Sequence, residues 1–204
     1  MFLPEHRNMQ SFNLLQENKA VTNYYYFAKL FTNEEIDKIM ALSKKYTPVE
    51  GNVSGVVDRT YRNSKIVWLP ISSETQFLYD RVIDLMKNAN SNMWKFHITT
   101  IKDSIQVSEY TGSTNPDESG HYDWHMDVGE NASTRKISMS IQLSDDTDYD
   151  GGNLEFMVHR SIIKAPREKG TVIFFPSYLT HRVTKVTRGT RNSLVFWFHG
   201  PPFV

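Results

Sequence analysis

The chain has 204 residues, a length that suggests one domain or at most two, and we expect one. Its 23 basic residues balance its 23 acidic residues, so no long-range field draws it to nucleic acid or to an anionic membrane. The lack of cysteine excludes disulfides, thiolate metal sites and cysteine nucleophiles, and it fits a reducing compartment. No apolar run is long enough for a membrane span or a signal core, so we expect a soluble, cytoplasmic protein with no membrane partner.

The first part of the chain predicts a short strand followed by a helix. Residues 1–23 show no sustained periodicity, so this segment is compatible either with a loosely attached arm or with an edge strand. The aromatic run 24–27 predicts a short strand. Thr32 with Glu35 three residues later has the pattern of a capping box, which predicts a helix over about 33–46.

Strand-like periodicity replaces helical periodicity near the middle of the chain. A second helix is predicted to begin near Ser72 and to end in the asparagine-rich segment 88–92. After about Trp94 the apolar runs are short, rich in β-branched and aromatic residues, and separated by turn-forming clusters; they are 96–98, 105–107, 137–143, 172–175 and 194–198. This pattern predicts a mainly β sandwich or barrel with helices packed along one sheet. The polar loop 111–120 is a candidate mobile lid.

A histidine and an aspartate two residues apart, followed far downstream by a second histidine, carry the strongest chemical signal. These residues are His125, Asp127 and His181. Two imidazoles and a carboxylate can occupy one face of an octahedral ferrous ion and leave the other face open, as in non-haem iron oxygenases. His121 and Asp123 repeat the same spacing, and alternate residues of a strand share one face. Spacing alone therefore leaves open whether His121 or Asp123 binds the metal or instead orients His125.

Arg188 and Arg191 lie between the second histidine and the last apolar run. A downstream arginine suits an acidic co-substrate, because its planar guanidinium can hold a carboxylate through two hydrogen bonds. Arg188 lies beside Gly189 and is more typical of a solvated surface charge. Arg191 is therefore the preferred candidate.

Four stretches, in this order along the chain, resemble the iron(II)- and 2-oxoglutarate-dependent oxygenases, specifically the prolyl 4-hydroxylase-like branch with its small bacterial and phage members: Tyr122–Asp127, Arg135–Ser144, Tyr149–Leu154 and His181–Trp197. The resemblance extends from about Asn23 to the end of the chain. The family has a tyrosine three residues before its first iron-binding histidine, and Tyr122 matches it, which favours His125 over His121. It implies a double-stranded β-helix (jelly-roll, cupin-like) core over 94–204, with 1–93 as a helical support region of the same domain.

The resemblance also implies a role for each candidate residue. Fe(II) would bind to His125, Asp127 and His181, the last of them on a strand across the barrel. Arg191 would pair with the distal carboxylate of 2-oxoglutarate. Further residues would lie near the co-substrate (Tyr110, Gln142) or near the substrate (Tyr122, Arg135, Trp197). A tryptophan that alternates with apolar residues along a strand is equally compatible with an ordinary core position.

The implied reaction is hydroxylation of a C–H bond with O2, in which 2-oxoglutarate is converted to succinate and CO2 and ascorbate is a candidate reductant. The expected substrate is a prolyl residue in a protein or peptide. The same chemistry on a free amino acid, a small metabolite or a nucleobase is an alternative, although the balanced charge disfavours nucleic acid. Two alternatives belong to other classes of function: a non-catalytic cupin-like binding module, and a zinc or manganese site that catalyses hydrolysis. The sequence identifies neither the substrate nor the oligomeric state.

Overall fold

The structure is a computed structural model that describes residues 23–53 and 55–203. The proposed arm or edge strand at 1–23 lies almost entirely outside the described residues. Within them the chain forms the following elements: β1 (Tyr25–Phe27), α1 (Asn33–Ser43), β2 (Val49–Glu50), β3 (Arg62–Asn63), β4 (Lys65–Leu69), α2 (Gln76–Asn92), β5 (Ile105–Thr111), β6 (His121–His125), β7 (Arg135–Gln142), β8 (Tyr149–Gly151), β9 (Leu154–Val158), β10 (Ser161–Lys164), β11 (Val172–Pro176), β12 (His181–Val183) and β13 (Val186–His199).

Two antiparallel sheets make up most of the fold. The larger sheet has the order β1-β11-β7-β13-β5-β4-β2, with β8 also paired to β13, and the smaller sheet has the order β10-β9-β12-β6-β3. The prediction of a mainly β protein is confirmed, and the two sheets are consistent with a double-stranded β-helix. The region before residue 94 contributes four strands to these sheets as well as both helices. Sequence periodicity did not predict β2, β3 or β4; β2 and β3 have two residues each, too few to show any alternation.

The first helix begins where its capping box predicts. The Thr32 hydroxyl accepts a hydrogen bond from the Glu35 N–H at 3.3 Å, and the Glu35 carboxylate accepts one from the Thr32 N–H at 2.9 Å. The helix ends at Ser43, three residues earlier than predicted. The N–H groups of Lys45 and Tyr46 instead bond to carbonyls three residues back, so the chain tightens into a turn there.

The second helix and the segment after it differ from the prediction. The helix begins at Gln76, because Ser72 and Thr75 form a hydrogen-bonded turn before it, and it continues through the asparagine-rich segment to Asn92. The strand predicted at 96–98 is wrong. The Asn90 side chain bonds to both the N–H and the carbonyl of Phe96, each at 2.8 Å, and so replaces the bonds of a sheet ladder.

The central strands of the larger sheet divide their side chains between an apolar core and a cavity. Alternate residues of β5, β7 and β13 join residues of both helices in the main core, which includes Ile36, Ile39, Leu78, Val82, Ile105, Ile137, Met139, Leu194 and Phe196. The residues between them, such as Gln106, Ser140, Val195 and Trp197, face a cavity. A second core joins Leu154 and Phe156 on β9 to Ile173 and Phe175 on β11, and so connects the two sheets. Neither described helix has the length and apolarity of a membrane span.

Candidate metal centre and adjoining cavity

Three side chains from two separate parts of the chain converge at one point. One ligand atom from each of His125, Asp127 and His181 lies within 4.8 Å of the other two. The Nε2 atom of His125 is 3.7 Å from one carboxylate oxygen of Asp127, and the Nε2 atom of His181 is 3.6 Å from the other. These are the three residues whose convergence the sequence hypothesis requires.

Strand pairing brings the two histidines together. His125 at the end of β6 is the direct cross-strand partner of His181 at the start of β12. The expectation that His181 lies across the barrel is therefore wrong: β12 is the immediate neighbour of β6 in the smaller sheet. Asp127 lies in the turn after β6, where its N–H donates to the carbonyl of Ser177 at 2.9 Å.

The pKa shifts of His125 and Asp127 suit a divalent metal. Burial, with the neighbouring His181, lowers the pKa of His125 to about 3, so this imidazole is neutral at physiological pH. Burial alone would raise the pKa of Asp127, but the two histidines and a hydrogen bond from Ser138 hold it below its usual value. Two imidazole nitrogens and one carboxylate are a donor set that fits Fe(II) and leaves further coordination positions free.

Hydrogen bonds hold the Asp127 carboxylate in place, and they engage His121 and Asp123 elsewhere. The Ser138 hydroxyl donates to Asp127 Oδ2 at 2.6 Å and lies 3.0 Å from the Ser177 hydroxyl. Both ring nitrogens of His121 instead contact backbone carbonyls, at 2.9 and 3.0 Å. Asp123 is exposed, and its carboxylate accepts a hydrogen bond from the next residue's N–H. The structure thus places His121 and Asp123 outside the cluster.

A buried arginine without a counter-ion lies in the same cavity. Arg191 is 1% exposed, and no carboxylate of the described residues forms an ion pair with it. Its guanidinium donates only to neutral groups, to Gln142 Oε1 at 3.0 Å and to Ser193 Oγ at 3.3 Å, and its Nε–H has no acceptor in the described part of the chain. Gly152, at φ +59°, leaves room for the side chain, since a Cβ there would lie 2.9 Å from Arg191 Cδ. An uncompensated buried charge is costly, so this site is prepared for an anion.

The metal cluster and the buried arginine line one cavity of about 420 Å3. Its walls include every residue to which the resemblance gives a role except Gln142, together with residues 128–132, and they do not include the competing candidates His121, Asp123 and Arg188. The amide of Gln142 bonds to Arg191 and to the carbonyl of Pro166 at 3.0 Å, so it positions the arginine and does not line the cavity. The predicted lid 111–120 does not line this cavity either; the loop 128–132 occupies its edge.

Comparison with known proteins identifies the architecture. Residues 105–199, which contain the whole constellation, match the family model described as the 2OG-Fe(II) oxygenase superfamily. Over these residues the chain is similar to this superfamily. Its members use Fe(II), 2-oxoglutarate and O2. A PKHD-type hydroxylase from Synechococcus sp. (strain CC9311) is 35% identical over 82 residues, which are 40% of this chain and 37% of that protein.

Two solved structures share the fold of this protein. A prolyl hydroxylase from Trichoplax adhaerens, in complex with a hypoxia inducible factor peptide fragment, aligns with a TM-score of 0.72 and 18% identity over 87% of this chain and 83% of that chain. A Pseudomonas putida prolyl-4-hydroxylase aligns with a TM-score of 0.69 and 19% identity over 87% of this chain and 93% of that chain. At these identities the likeness establishes the fold.

The remaining candidate residues line the cavity from both sheets: Tyr122 lies on the smaller sheet, and Arg135 and Trp197 form a wall on the larger sheet. The Tyr122 ring stacks on the His125 ring, with centroids 3.5 Å apart and an interplanar angle of 14°. The Arg135 guanidinium lies 3.8 Å from the centre of the Trp197 ring. Trp197 therefore belongs to the cavity wall and not to the main core, although its indole N–H has no acceptor in the described part of the chain.

Sequence reasoning missed three polar residues that support this wall and the carboxylate. Ser138 and Ser177 bond to each other and Ser138 bonds to Asp127, while Asp103 accepts from Arg135 at 3.0 Å and from His199 at 3.0 Å. The alternation of β7 contains a signal for Ser138, because a polar residue between Ile137 and Met139 must face away from the apolar core. Ser177 and Asp103 lie outside the strands and give no such signal.

Proposed function

We propose that this protein is an Fe(II)- and 2-oxoglutarate-dependent dioxygenase that hydroxylates a C–H bond, with a prolyl residue of a protein or peptide as the substrate. In the balanced reaction, the substrate C–H, O2 and 2-oxoglutarate give the C–OH product, succinate and CO2. The aligned segment spans only 37% of the PKHD-type hydroxylase from Synechococcus, so the activity rests on the site of this chain and not on that protein's name.

The observation that carries the proposal is the position of Arg191 relative to the metal cluster. A buried guanidinium that meets only neutral groups needs an anion, and it lines the same cavity as the three candidate ligands. A dicarboxylic co-substrate satisfies both ends: one carboxylate pairs with Arg191 and the other end reaches the metal. Bidentate pairing with the planar guanidinium fixes the orientation of the co-substrate.

The residues of the chain supply ligation, orientation and a dry site. His125, Asp127 and His181 would hold Fe(II), which activates O2 in this chemistry. Ser138 fixes the carboxylate and Gln142 fixes the guanidinium, so both ends of the co-substrate meet groups that are already oriented. Tyr110, whose ring lies 5.5 Å from the Arg191 guanidinium, covers that end of the cavity.

Two observations favour a prolyl substrate: the aromatic residues that line the cavity, and the names of the structural relatives. Tyr122 and Trp197 both line the cavity, and an aromatic lining suits the apolar pyrrolidine ring. Both structural relatives are named prolyl hydroxylases, and one of them was solved with a peptide bound. A free amino acid or small metabolite would use the same iron and co-substrate sites but would not need the cavity to be open to a chain.

The test measures succinate formed from 2-oxoglutarate by the iron-loaded protein, first without and then with a panel of proline-containing peptides. We expect turnover that a subset of peptides stimulates, with a mass gain of one oxygen on proline. Asp127→Asn should abolish turnover, and the matched variant Asp123→Asn should retain it, because only Asp127 lies in the metal cluster. Iron binding without any 2-oxoglutarate turnover would contradict the proposal and would favour a binding module. Turnover stimulated only by free amino acids would overturn the substrate class.

A further inference from the structure

A second buried arginine lines the cavity without a counter-ion. Arg62 on β3 is 7% exposed, and no described carboxylate forms an ion pair with it. Its Nε–H donates to Ser64 Oγ at 3.0 Å and its Nη1 donates to the carbonyl of Asn52 at 3.2 Å, and both acceptors are neutral. Its Nη2 donates to no acceptor in the described part of the chain. Because the groups that hold it are neutral, the positive charge of this buried guanidinium is not compensated, and binding an anion would compensate it.

The backbone makes room for this arginine in the same way that Gly152 makes room for Arg191. A Cβ on Gly51 would lie 2.6 Å from Arg62 Nε, and it would also clash with the Ser64 hydroxyl. The Gly51 N–H donates to the carbonyl of Ser64 at 2.7 Å, so the two segments cannot separate without losing that bond. The Arg62 side chain is therefore held in a fitted slot and is not a mobile surface charge.

The slot opens toward the reaction centre from the sheet opposite Arg191. Arg62 lies on the smaller sheet and Arg191 on the larger sheet, and both line the cavity that contains the metal cluster. The Arg62 guanidinium is 4.6 Å from the centre of the Tyr122 ring, and that ring stacks on His125. An anion bound to Arg62 would therefore lie in the cavity, one aromatic ring away from a candidate metal ligand.

We propose that Arg62 is a specificity-determining residue that selects a substrate with a carboxylate close to the C–H bond that is hydroxylated. This inference rests on the proposed function, in which Arg191 holds the co-substrate and leaves Arg62 for the substrate. A carboxylate is planar and singly charged, so one guanidinium neutralises it through two parallel hydrogen bonds. The carboxylate has two sources, an Asp or Glu side chain near the proline of a peptide, or the free α-carboxylate of a terminal or free proline.

The test compares the binding of matched acids and amides to the anaerobic protein loaded with iron and 2-oxoglutarate. The probes are end-blocked peptides with one proline and an Asp or Glu at one to three positions on either side, their Asn or Gln counterparts, and the pair proline and prolinamide. Calorimetry should show that at least one acid binds about tenfold or more tightly than its amide. A preference confined to the blocked peptides identifies an acidic side chain as the source, and a preference confined to proline identifies the α-carboxylate.

Variants of the arginine then assign the preference to this residue. Arg62→Gln should bind acid and amide equally, and Arg62→Lys should retain part of the preference because it keeps the charge. Gly51→Ala should weaken the preference, since the new Cβ displaces the side chain. The control Arg59→Gln should behave as the wild-type protein, because Arg59 is exposed, lies outside the cavity and pairs with Glu50 at 3.3 Å.

The outcomes separate this inference from the proposed function. A wild-type protein that converts 2-oxoglutarate to succinate but binds every acid no more tightly than its amide overturns the role of Arg62, and so does a preference that persists in Arg62→Gln. Because the wild-type comparison needs no variant, a variant that fails to fold leaves the inference testable. A wild-type protein that forms no succinate contradicts the proposed function instead.

Discussion

His125 and His181 lie directly opposite each other on adjacent antiparallel strands, with their ring centroids 4.2 Å apart. Both rings are oriented by the same local device. The Nδ1 of each bonds to the carbonyl two residues earlier, that of Asp123 at 2.7 Å and that of Leu179 at 2.8 Å. With Nδ1 turned toward a carbonyl, each ring directs its Nε2 toward Asp127. Strand register thus builds the donor set before any metal binds.

This arrangement predicts that only one of the two histidine-aspartate pairs supports metal binding. Asp127→Asn and His181→Gln should each weaken binding of Fe(II), or of Co(II) as a spectroscopic probe, by at least about 100-fold, since even residues behind the ligands are worth about 10- to 100-fold. Asp123→Asn is the matched control and should bind as the wild-type protein does. The ligand assignment would be wrong if Asp123→Asn lost the metal and Asp127→Asn kept it.

Ser138 should control the metal affinity although it touches no metal. Its hydroxyl donates to Asp127 Oδ2 at 2.6 Å, so Ser138→Ala leaves that oxygen without a fixed partner. We expect the dissociation constant for Fe(II) to rise by about tenfold, at the low end of the effect of such supporting residues. Ser108→Ala is the control, because Ser108 is equally buried and also takes part in a side-chain hydrogen bond, with Gln106, but does not contact Asp127. Equal effects of the two substitutions on metal affinity would refute a specific role.

Arg191 and Arg188 make a matched pair for the co-substrate site. Arg191→Gln should raise the dissociation constant of 2-oxoglutarate by about 30-fold or more, since losing one partner of a buried charged pair costs about 2–5 kcal/mol. Arg188→Gln should change it little, because the Arg188 side chain is 58% exposed and pairs with Asp150 at 2.7 Å. The rise in melting temperature on adding 2-oxoglutarate reports both effects.

The same pair of variants separates co-substrate binding from fold stability. Without 2-oxoglutarate, Arg191→Gln should unfold at a temperature no lower than the wild-type protein, because the substitution removes an uncompensated buried charge. A large loss of stability in the ligand-free variant would show that Arg191 is a structural residue. Retention of the 2-oxoglutarate response in Arg191→Gln, with its loss in Arg188→Gln, would move the site to Arg188.

The sequence predicted most of what depends on periodicity. The alternation Ile137, Met139, Ile141 against Ser138, Ser140, Gln142 gives one apolar face and one polar face, and β7 follows it. The capping box at Thr32 was predicted for a similar reason, since both partners lie within one turn of helix. The convergence of His125, Asp127 and His181 was predicted from the resemblance, and its geometry agrees with that hypothesis.

Features that depend on strand order and on long-range contacts could not be predicted. The pairing of β6 with β12 places His181 beside His125, but no local pattern specifies which strand neighbours which. Arg62 lies on a strand of two residues next to a loop whose path the sequence did not define, so its place in the cavity appeared only in the structure. Ser177 similarly reaches Ser138 across 39 residues of chain.

The low pKa of His125 predicts how the stability of the metal-free protein depends on pH. The pKa is about 3 in the folded protein and 6.5 ordinarily. Between these values the unfolded chain binds a proton that the folded protein does not, so the free energy of unfolding must fall as the pH falls. At about 1.4 kcal/mol for each pH unit below 6.5, the loss between pH 7 and pH 5 is about 2 kcal/mol.

Denaturant unfolding of the metal-free protein at pH 7, 6 and 5 measures this loss, and His125→Gln should reduce it by most of that amount. Asp127 acts in the same direction at lower pH: its depressed pKa gives stability above the ordinary value for aspartate, and that stability is lost as the pH falls through the folded value. Saturating Fe(II) should steepen the dependence, since the metal binds the deprotonated ligands and protons compete with it. If wild-type and His125→Gln proteins lose the same stability between pH 7 and pH 5, His125 is not a buried neutral imidazole in the metal-free fold.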